Sequence, residues 1–435
     1  MINDVKRVKD FNIQYISGIW GDYSSEENDD GIFVLRSTEQ KLNGELNIIN
    51  PAYIKADYKS KNILREGDLL ITKSSGSKSH VGKCSYISKE VASCKYAFSN
   101  FMIGIRVKDR KLAPEYLYFC INSKLIKRQI ERNSMNVTLN NLNQNNISNW
   151  FIPFFNIDIQ KNIVIFLRNE IKIIDKKLKK YNKKIELLKE YKESLIYETV
   201  TKGLDKNVEM KDSGIDWIGL IPKSFSIKRL KDVYIYKNGY SFSDEDYSEE
   251  DNGNYLIKIT QIKEEGININ KEMVIKENYR NKLFKIKKMS ILYALSGATA
   301  GKSCFFDSEY KCYLNQRVAE IRLKKGNSKY LYYIFKNKQM QNIILNSKQS
   351  TAQPNINKSD IDNFIIPYIS NTNKQNEIVN FLDKKTKEID SEVKKIYKKI
   401  ELIKELKESI IYECVTGKLD IEKEGEKYQK IIESI

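Results

Sequence analysis

The residues that could do chemistry are few and scattered. One histidine, His80, is all the chain offers for imidazole acid–base work or a multi-histidine metal site. The six cysteines, Cys84, Cys94, Cys120, Cys304, Cys312 and Cys414, contain no C-x-x-C pair, so they fit reduced, mostly buried thiols better than a zinc set. Gly297-Ala298-Thr299-Ala300-Gly301-Lys302-Ser303 falls one residue short of the G-x-x-x-x-G-K-[ST] phosphate loop. Its counterpart, Gly76 to Lys83, is one residue too long and is followed by Cys84. A Gly/Ser/Lys loop can still approach a sugar–phosphate backbone with N–H groups and a cation, though a plain solvated turn has the same composition. Asn50-Pro51 is followed by Ala52-Tyr53, not by the Pro-aromatic pair of amino-methyltransferases. Glu190-x-Lys192 and Glu405-x-Lys407 resemble nuclease spacings but lie on helical stretches, where surface ion pairing explains them. No catalytic engine is evident, and no metal site is expected.

Readers of a polyanion are better represented. Lys+Arg 75 against Asp+Glu 57 leaves a net charge of +18, and the pI is about 9.2. A basic excess of this kind favours nucleic acid. Candidate DNA-binding residues in the first half are Arg36, Lys73, Ser74, Ser77, Lys78, His80 and Lys83; in the second they are Ser296, Thr299, Lys302, Asn315, Gln316 and Arg317. Arginine pairs with guanine, and Asn or Gln with adenine, through two hydrogen bonds each.

What must position these residues is a chain written twice. Residues 160–205 return as residues 375–420 at an offset of 215, without a gap and with 27 of 46 positions identical. Both copies carry apolar residues at alternating steps of three and four, with Lys and Glu on the other face. The expected helix-pair seam uses Ile174, Leu178, Tyr181, Ile185 and Leu188 in the first copy. In the second it uses Ile389, Val393, Ile396, Ile400 and Ile403. Lys192 and Lys407 interrupt the seam at the same place. A polar seam residue costs stability but fixes register. A helix packed on its own domain would show a similar stripe.

The regions ahead of the helices are related more loosely. "EYLYFCINSK" (Glu115–Lys124) matches "KYLYYIFKNK" (Lys329–Lys338), and "NLNQNNISNWFIP" (Asn141–Pro153) matches "NINKSDIDNFIIP" (Asn355–Pro367). "GDLLITKSSG" (Gly67–Gly76) resembles "MSILYALSG" (Met289–Gly297). Short β-type runs between Gly, Asn and Ser predict α+β globules. The expected plan is a globule over 1–158, a helix over 159–205, a linker over 206–214, a globule over 215–372, a helix over 373–421 and a tail over 422–435. Each helix of about 38 residues would be about 57 Å long. To pair, the second must run back along the first, so the expected fold is two α+β globules separated by two long antiparallel coiled-coil helices. That is a pseudo-two-fold repeat, suited to two DNA half-sites.

Between the first helix and the second globule stands "MKDSGIDWIGLIP" (Met210–Pro222), followed by "SFSIKRLKDV" (Ser224–Val233). With the paired "KKIELLKEYKESLIYETVTKGL" and "KKIELIKELKESIIYECVTGKL", it resembles the specificity subunits of type I restriction–modification systems, with two target-recognition domains and two conserved helical regions. The first globule departs from the pattern by lacking the Trp-Ile-Gly-x-Ile-Pro lead. "Gly18-Ile19-Trp20-Gly21" has no counterpart at the start of the second globule, which suggests that the two domains read different sequences.

The resemblance implies that each globule reads one half of a double-stranded DNA site. The helices would set the spacer and dock two modification (methyltransferase) subunits, joined by restriction (endonuclease/translocase) subunits. S-adenosylmethionine, ATP and Mg would belong to those partners, and this chain would be a non-catalytic subunit needing no cofactor. A stand-alone bipartite DNA-binding regulator or scaffold is the competing reading, and an unrecognised nuclease a third. With no apolar run near the ~20 residues of a membrane span, and no apolar stretch behind the basic residues of "MINDVKRVKDFN", a cytoplasmic protein without a membrane partner is expected.

Overall fold

The computed structural model describes residues 4–23, 31–41, 43–55, 59–75, 80–134, 141–251, 253–263, 266–346 and 355–434. The chain folds as two units, one of Met1–Asn182 with Ile396–Ile435 and one of Lys183–Lys395. Each holds one globule and one half of each long helix.

Both units rest on a four-stranded antiparallel sheet of the same plan. In the first the order is Ile13–Ser17, Met102–Val107, Leu69–Thr72, Cys84–Tyr86. In the second it is Tyr234–Asn238, Val318–Leu323, Ser290–Ala294, Ser303–Phe306. The register matches as well: Leu69 faces Ile105 and Thr72 faces Met102, as Ile291 faces Ile321 and Ala294 faces Val318. Leu69–Thr72 and Ser290–Ala294 are buried along their whole length, which explains why they read as continuous apolar runs and not as alternating ones. Beside each sheet a parallel pairing recurs, Gly31–Leu35 with Ala97–Phe98 and Asn254–Ile257 with Lys311–Leu314.

Helix Pro114–Asn122 begins on a proline, whose fixed φ suits a first helical position; Ser328–Phe335 begins after Asn327, whose side chain accepts from the Lys329 N–H. From these helices Tyr116 and Tyr330 donate their hydroxyls to the carbonyls of Pro153 and Pro367, at 2.9 and 3.1 Å. Five of the six cysteines are buried and all six are free thiols; burial pushes Cys120, Cys304, Cys312 and Cys414 up to about 12.

Each sheet carries a buried acid met by an arginine. In the first unit Arg106 makes a bidentate pair with Asp68, at 2.8 and 2.6 Å. In the second, the position of Asp68 is Ser290, and Glu320 supplies the carboxylate for Arg322 at 3.0 Å, with the Ser290 hydroxyl donating to it at 2.7 Å. Glu320 stands where the first unit has Gly104, whose Cβ would press on Ile16 and Phe98. The acid has moved one strand across while its cation stayed in place.

The long helices run over Ile157–Lys202 and Thr372–Val415, 46 and 44 residues. They begin within two residues of the expected starts, 159 and 373, where Asn156 and Asn371 accept from the N–H groups of Ile159 and Asn373 at 2.9 Å each, and they end before the expected 205 and 421. Gly203 and Gly417, at φ of +75° and +66°, end them in the left-handed region that a side chain disfavours. Within each unit the helix halves are antiparallel. In the first, Asp175 pairs with Lys407 while Glu170 lies near Cys414. In the second, Lys192 pairs with Asp390 and Lys184 with Glu392.

The seam residues lie inward. Ile174 and Ile403 share the first unit's core with the half-buried Leu178 and Tyr181, and Ile396 and Ile400 are buried in the same unit. In the second unit Ile185 and Ile389 are buried, with Leu188 and Val393 half-buried. The two seam lysines are accounted for: Lys407 reaches Asp175 and Lys192 reaches Asp390, each at 2.6–2.7 Å. At the repeat offset of 215 these are one interaction made twice.

Two expected boundaries change. Part of the expected linker is structured, since Met210–Asp212 pairs with Leu220–Pro222 and its hairpin sets Trp217 against Phe364, ring centroids 5.4 Å apart and tilted by 35°. The expected tail is a helix, Ile421–Ser434, because Ile421 and Tyr428 pack on the first unit's core.

The two seam pairs differ in burial: the Lys407 and Asp175 side chains are 19% and 37% exposed, those of Lys192 and Asp390 30% and 61%. Asp175→Ala is expected to destabilise the first unit by about 1–3 kcal/mol, because it strands a largely buried ammonium. Asp390→Ala is expected to cost the second unit under about 1 kcal/mol. Urea unfolding of the two variants checks the order.

Candidate nucleic-acid interface

The same loop cluster stands at one end of each sheet. In the first unit the chain leaves strand Ile13–Ser17 through Gly18, and Ile19 N–H donates to the Phe98 carbonyl at 2.9 Å. Lys73 and Ser74 N–H groups both donate to the Phe101 carbonyl, at 3.0 and 3.2 Å, and Leu142 N–H donates to the Lys73 carbonyl at 2.7 Å. Ser74 and Asn141 form an antiparallel bridge. In the second unit Tyr240 N–H donates to the Leu314 carbonyl at 2.9 Å, Leu295 N–H to the Arg317 carbonyl at 3.0 Å, and Ile356 N–H to the Leu295 carbonyl at 2.7 Å. Ser296 and Asn355 form the equivalent bridge.

These matched bonds define equivalent positions: Gly18 with Gly239, Lys73 with Leu295, Ser74 with Ser296, Phe101 with Arg317, Asn141 with Asn355. Gly18-Ile19-Trp20-Gly21 therefore does have a counterpart, Gly239-Tyr240-Ser241-Phe242, which corrects the sequence reading. Only the glycine is kept, for a steric reason. A Cβ on Gly18 would fall on the Ser99 carbonyl, and one on Gly239 on the Asn315 carbonyl.

In the second unit Ser296, Gln316 and Arg317 line one cavity of about 520 Å³, together with Tyr236, Asn238, Asn355 and Asn357. Gln316 and Arg317 are exposed, and the Arg317 guanidinium has no hydrogen-bond or ion-pair partner among the described residues. A free guanidinium beside several amides can donate to and accept from base edges and phosphates. The Ser296 and Thr299 hydroxyls are buried without a partner among the described residues, and Lys302 is exposed. Asn315 is half-buried, and its side-chain oxygen accepts from the Arg317 N–H at 3.4 Å within the same loop.

In the first unit Lys73 and Ser74 belong to the cluster, with His80 half-buried nearby in sequence, and Ser77 and Lys78 lie outside the described residues. Two candidates stand differently from the expectation. The Arg36 guanidinium is held by Glu39 at 2.8 and 3.2 Å, which occupies the fork that would grip guanine. Lys83 matches Lys302 in backbone position, each carbonyl accepting from the strand at 2.9 Å, yet Lys83 is 6% exposed. Its ammonium finds no hydrogen bond among the described residues, and burial lowers its pKa.

Sequence reasoning missed Asn355 and Asn357, although both lie in the repeated "NINKSDIDNFIIP". It also passed over Phe101, which is 47% exposed and meets the 67%-exposed Trp20 edge-to-face at 5.5 Å. Two large exposed aromatics beside a basic loop were a signal available only once the loops were brought together. Among the described residues no group of three or more His, Cys, Asp or Glu side chains could hold a metal, and no helix is long and apolar enough to cross a membrane.

Gly239→Ala or Gly18→Ala must push aside a backbone carbonyl, not a flexible side chain. Each is expected to cost about 1–3 kcal/mol and to shift the neighbouring loop. Urea unfolding measures the cost; no loss would mean that the loop moves freely.

Comparison with known proteins agrees with this duplicated plan. A family model described as the type I restriction modification DNA specificity domain matches residues 8–189 and again residues 222–402. The type I restriction enzyme MjaVIII specificity subunit of Methanocaldococcus jannaschii is 24% identical over 426 residues, spanning 96% of this chain and 93% of that protein. A chain from a structural study of complex assembly and conformational transition of the type I R-M system aligns with a TM-score of 0.74 at 14% identity, over 96% of this chain and 98% of its own. The HsdS subunit of Thermoanaerobacter tengcongensis aligns at 0.54 with 14% identity, over 96% and 97%. At these identities the two structures speak to the fold.

Proposed function

We propose a division of labour for a chain that belongs to the type I restriction modification DNA specificity family and is the DNA sequence-specificity subunit of such a system. Each globule reads one half of a bipartite double-stranded DNA site. The long helices set the spacer between the halves and dock two modification subunits. Those partners hold S-adenosylmethionine and methylate adenine; restriction subunits, with ATP and Mg, join them to cleave. This chain selects the site and leaves every chemical step to its partners, in the cytoplasm.

The observation that carries the reading is the loop cluster built twice on one scaffold with different side chains. A shared frame with variable loops is what two readers of unlike half-sites need. The +18 charge supplies the sequence-independent attraction to phosphate on which such reading rests. Docking of two copies of one partner is supported by Leu187 and Leu402, which are repeat-related leucines 51% and 53% exposed on the long helices. An apolar side chain left out at the same place in both repeats offers the same anchor twice.

The test replaces residues 1–158 by the corresponding domain of another such subunit, in a complex with the modification subunits, and maps methylated adenines across host DNA. One half of the motif should change and the other persist. A change in both halves, or in neither, would contradict the modular reading.

A further inference from the structure

The two readers differ by a reciprocal exchange at two touching positions. Where the first unit has Lys73 and Phe101, the second has Leu295 and Arg317, and in both the second residue's carbonyl accepts the first residue's N–H. Leu295 is buried and Arg317 exposed; Phe101 is exposed and leans on Trp20. The side chain offered outward from one backbone position is therefore a guanidinium in one domain and an aromatic pair in the other.

We propose that Trp20 and Phe101 are the thymine-reading contact of the first domain, and that Arg317 holds the equivalent place for guanine in the second. The inference rests on the reading of both globules as DNA readers. Side chains offered from equivalent positions of one scaffold enter the same groove. In the major groove an arginine grips guanine O6 and N7, whereas an apolar side chain finds the C5 methyl of thymine. Apolar wedges that unstack base steps enter from the minor groove, away from the thymine methyl. Rings held 62° apart at 5.5 Å present a corner, which suits a methyl group. Lys73, whose backbone N–H donates to the Phe101 carbonyl, is a half-buried cation on the neighbouring strand end that can meet a phosphate.

Uracil, which is thymine without that methyl, isolates the contact. The full chain in complex with its modification subunits is titrated with duplexes carrying the mapped motif, thymines replaced by uracil in one half at a time. Uracil at one position of the first domain's half should weaken wild-type binding about fourfold, the worth of one buried methyl. The Trp20→Ala/Phe101→Ala complex should bind both duplexes alike, while Phe101→Leu, still apolar, keeps part of the preference. Arg317→Gln should lose about fivefold or more of its discrimination for one guanine in the other half and leave the uracil response intact. Wild-type binding unmoved by uracil in that half, or a double variant as uracil-sensitive as wild type, would overturn the proposal. A wild-type complex that favours no motif at all would remove the reading of the globules, and this inference with it.

Discussion

A lysine on an apolar helix seam must find an anion or leave the seam, and this constraint acts at the same place in both units. Lys407 meets Asp175 and Lys192 meets Asp390, four residues that are two copies of one pair. Apolar seams tolerate slippage, since one isoleucine packs much like another. A charged pair does not, because a slip of one turn strands a partly buried ammonium. The pairs therefore register one half-helix against the other in each unit. The globule attached to those halves inherits that register.

On this frame the two globules have diverged by moving chemistry between neighbours. The buried carboxylate beside the sheet arginine passes from Asp68 to Glu320, one strand over, while glycine and serine take the vacated places. Cation and apolar residue trade places between Lys73/Phe101 and Leu295/Arg317. Even the helix ends do so, with Lys202-Gly203 answered by Gly417-Lys418. The physical requirement persists in each case: a buried charge needs a partner, a loop needs an outward and an inward side chain, a helix needs a left-handed stop. The position that meets the requirement is free to change.

That freedom explains what was legible beforehand. The long helices and their antiparallel pairing were readable because a heptad repeats a physical demand at fixed spacing, and 27 of 46 identities kept it visible. The α+β globules followed from their short apolar runs. The reading surface was only partly legible. Ser296, Gln316 and Arg317 do meet around one cavity, but the burial of Lys83 and the grip of Glu39 on Arg36 depend on packing that spacing does not record. Gly18 and Gly239 share a role that no local alignment displays, because their neighbours differ and only a carbonyl across the sheet reveals it.

The most direct test of the registering pair is a charge exchange: Asp175→Lys, Lys407→Asp, and both together, each followed by urea unfolding. If the pair sets register, each single change destabilises, through two facing cations or two facing anions, and the double exchange recovers most of the loss. A double variant as unstable as the sum of the singles would show that the pair carries no mutual energy and that the seam's register has another source.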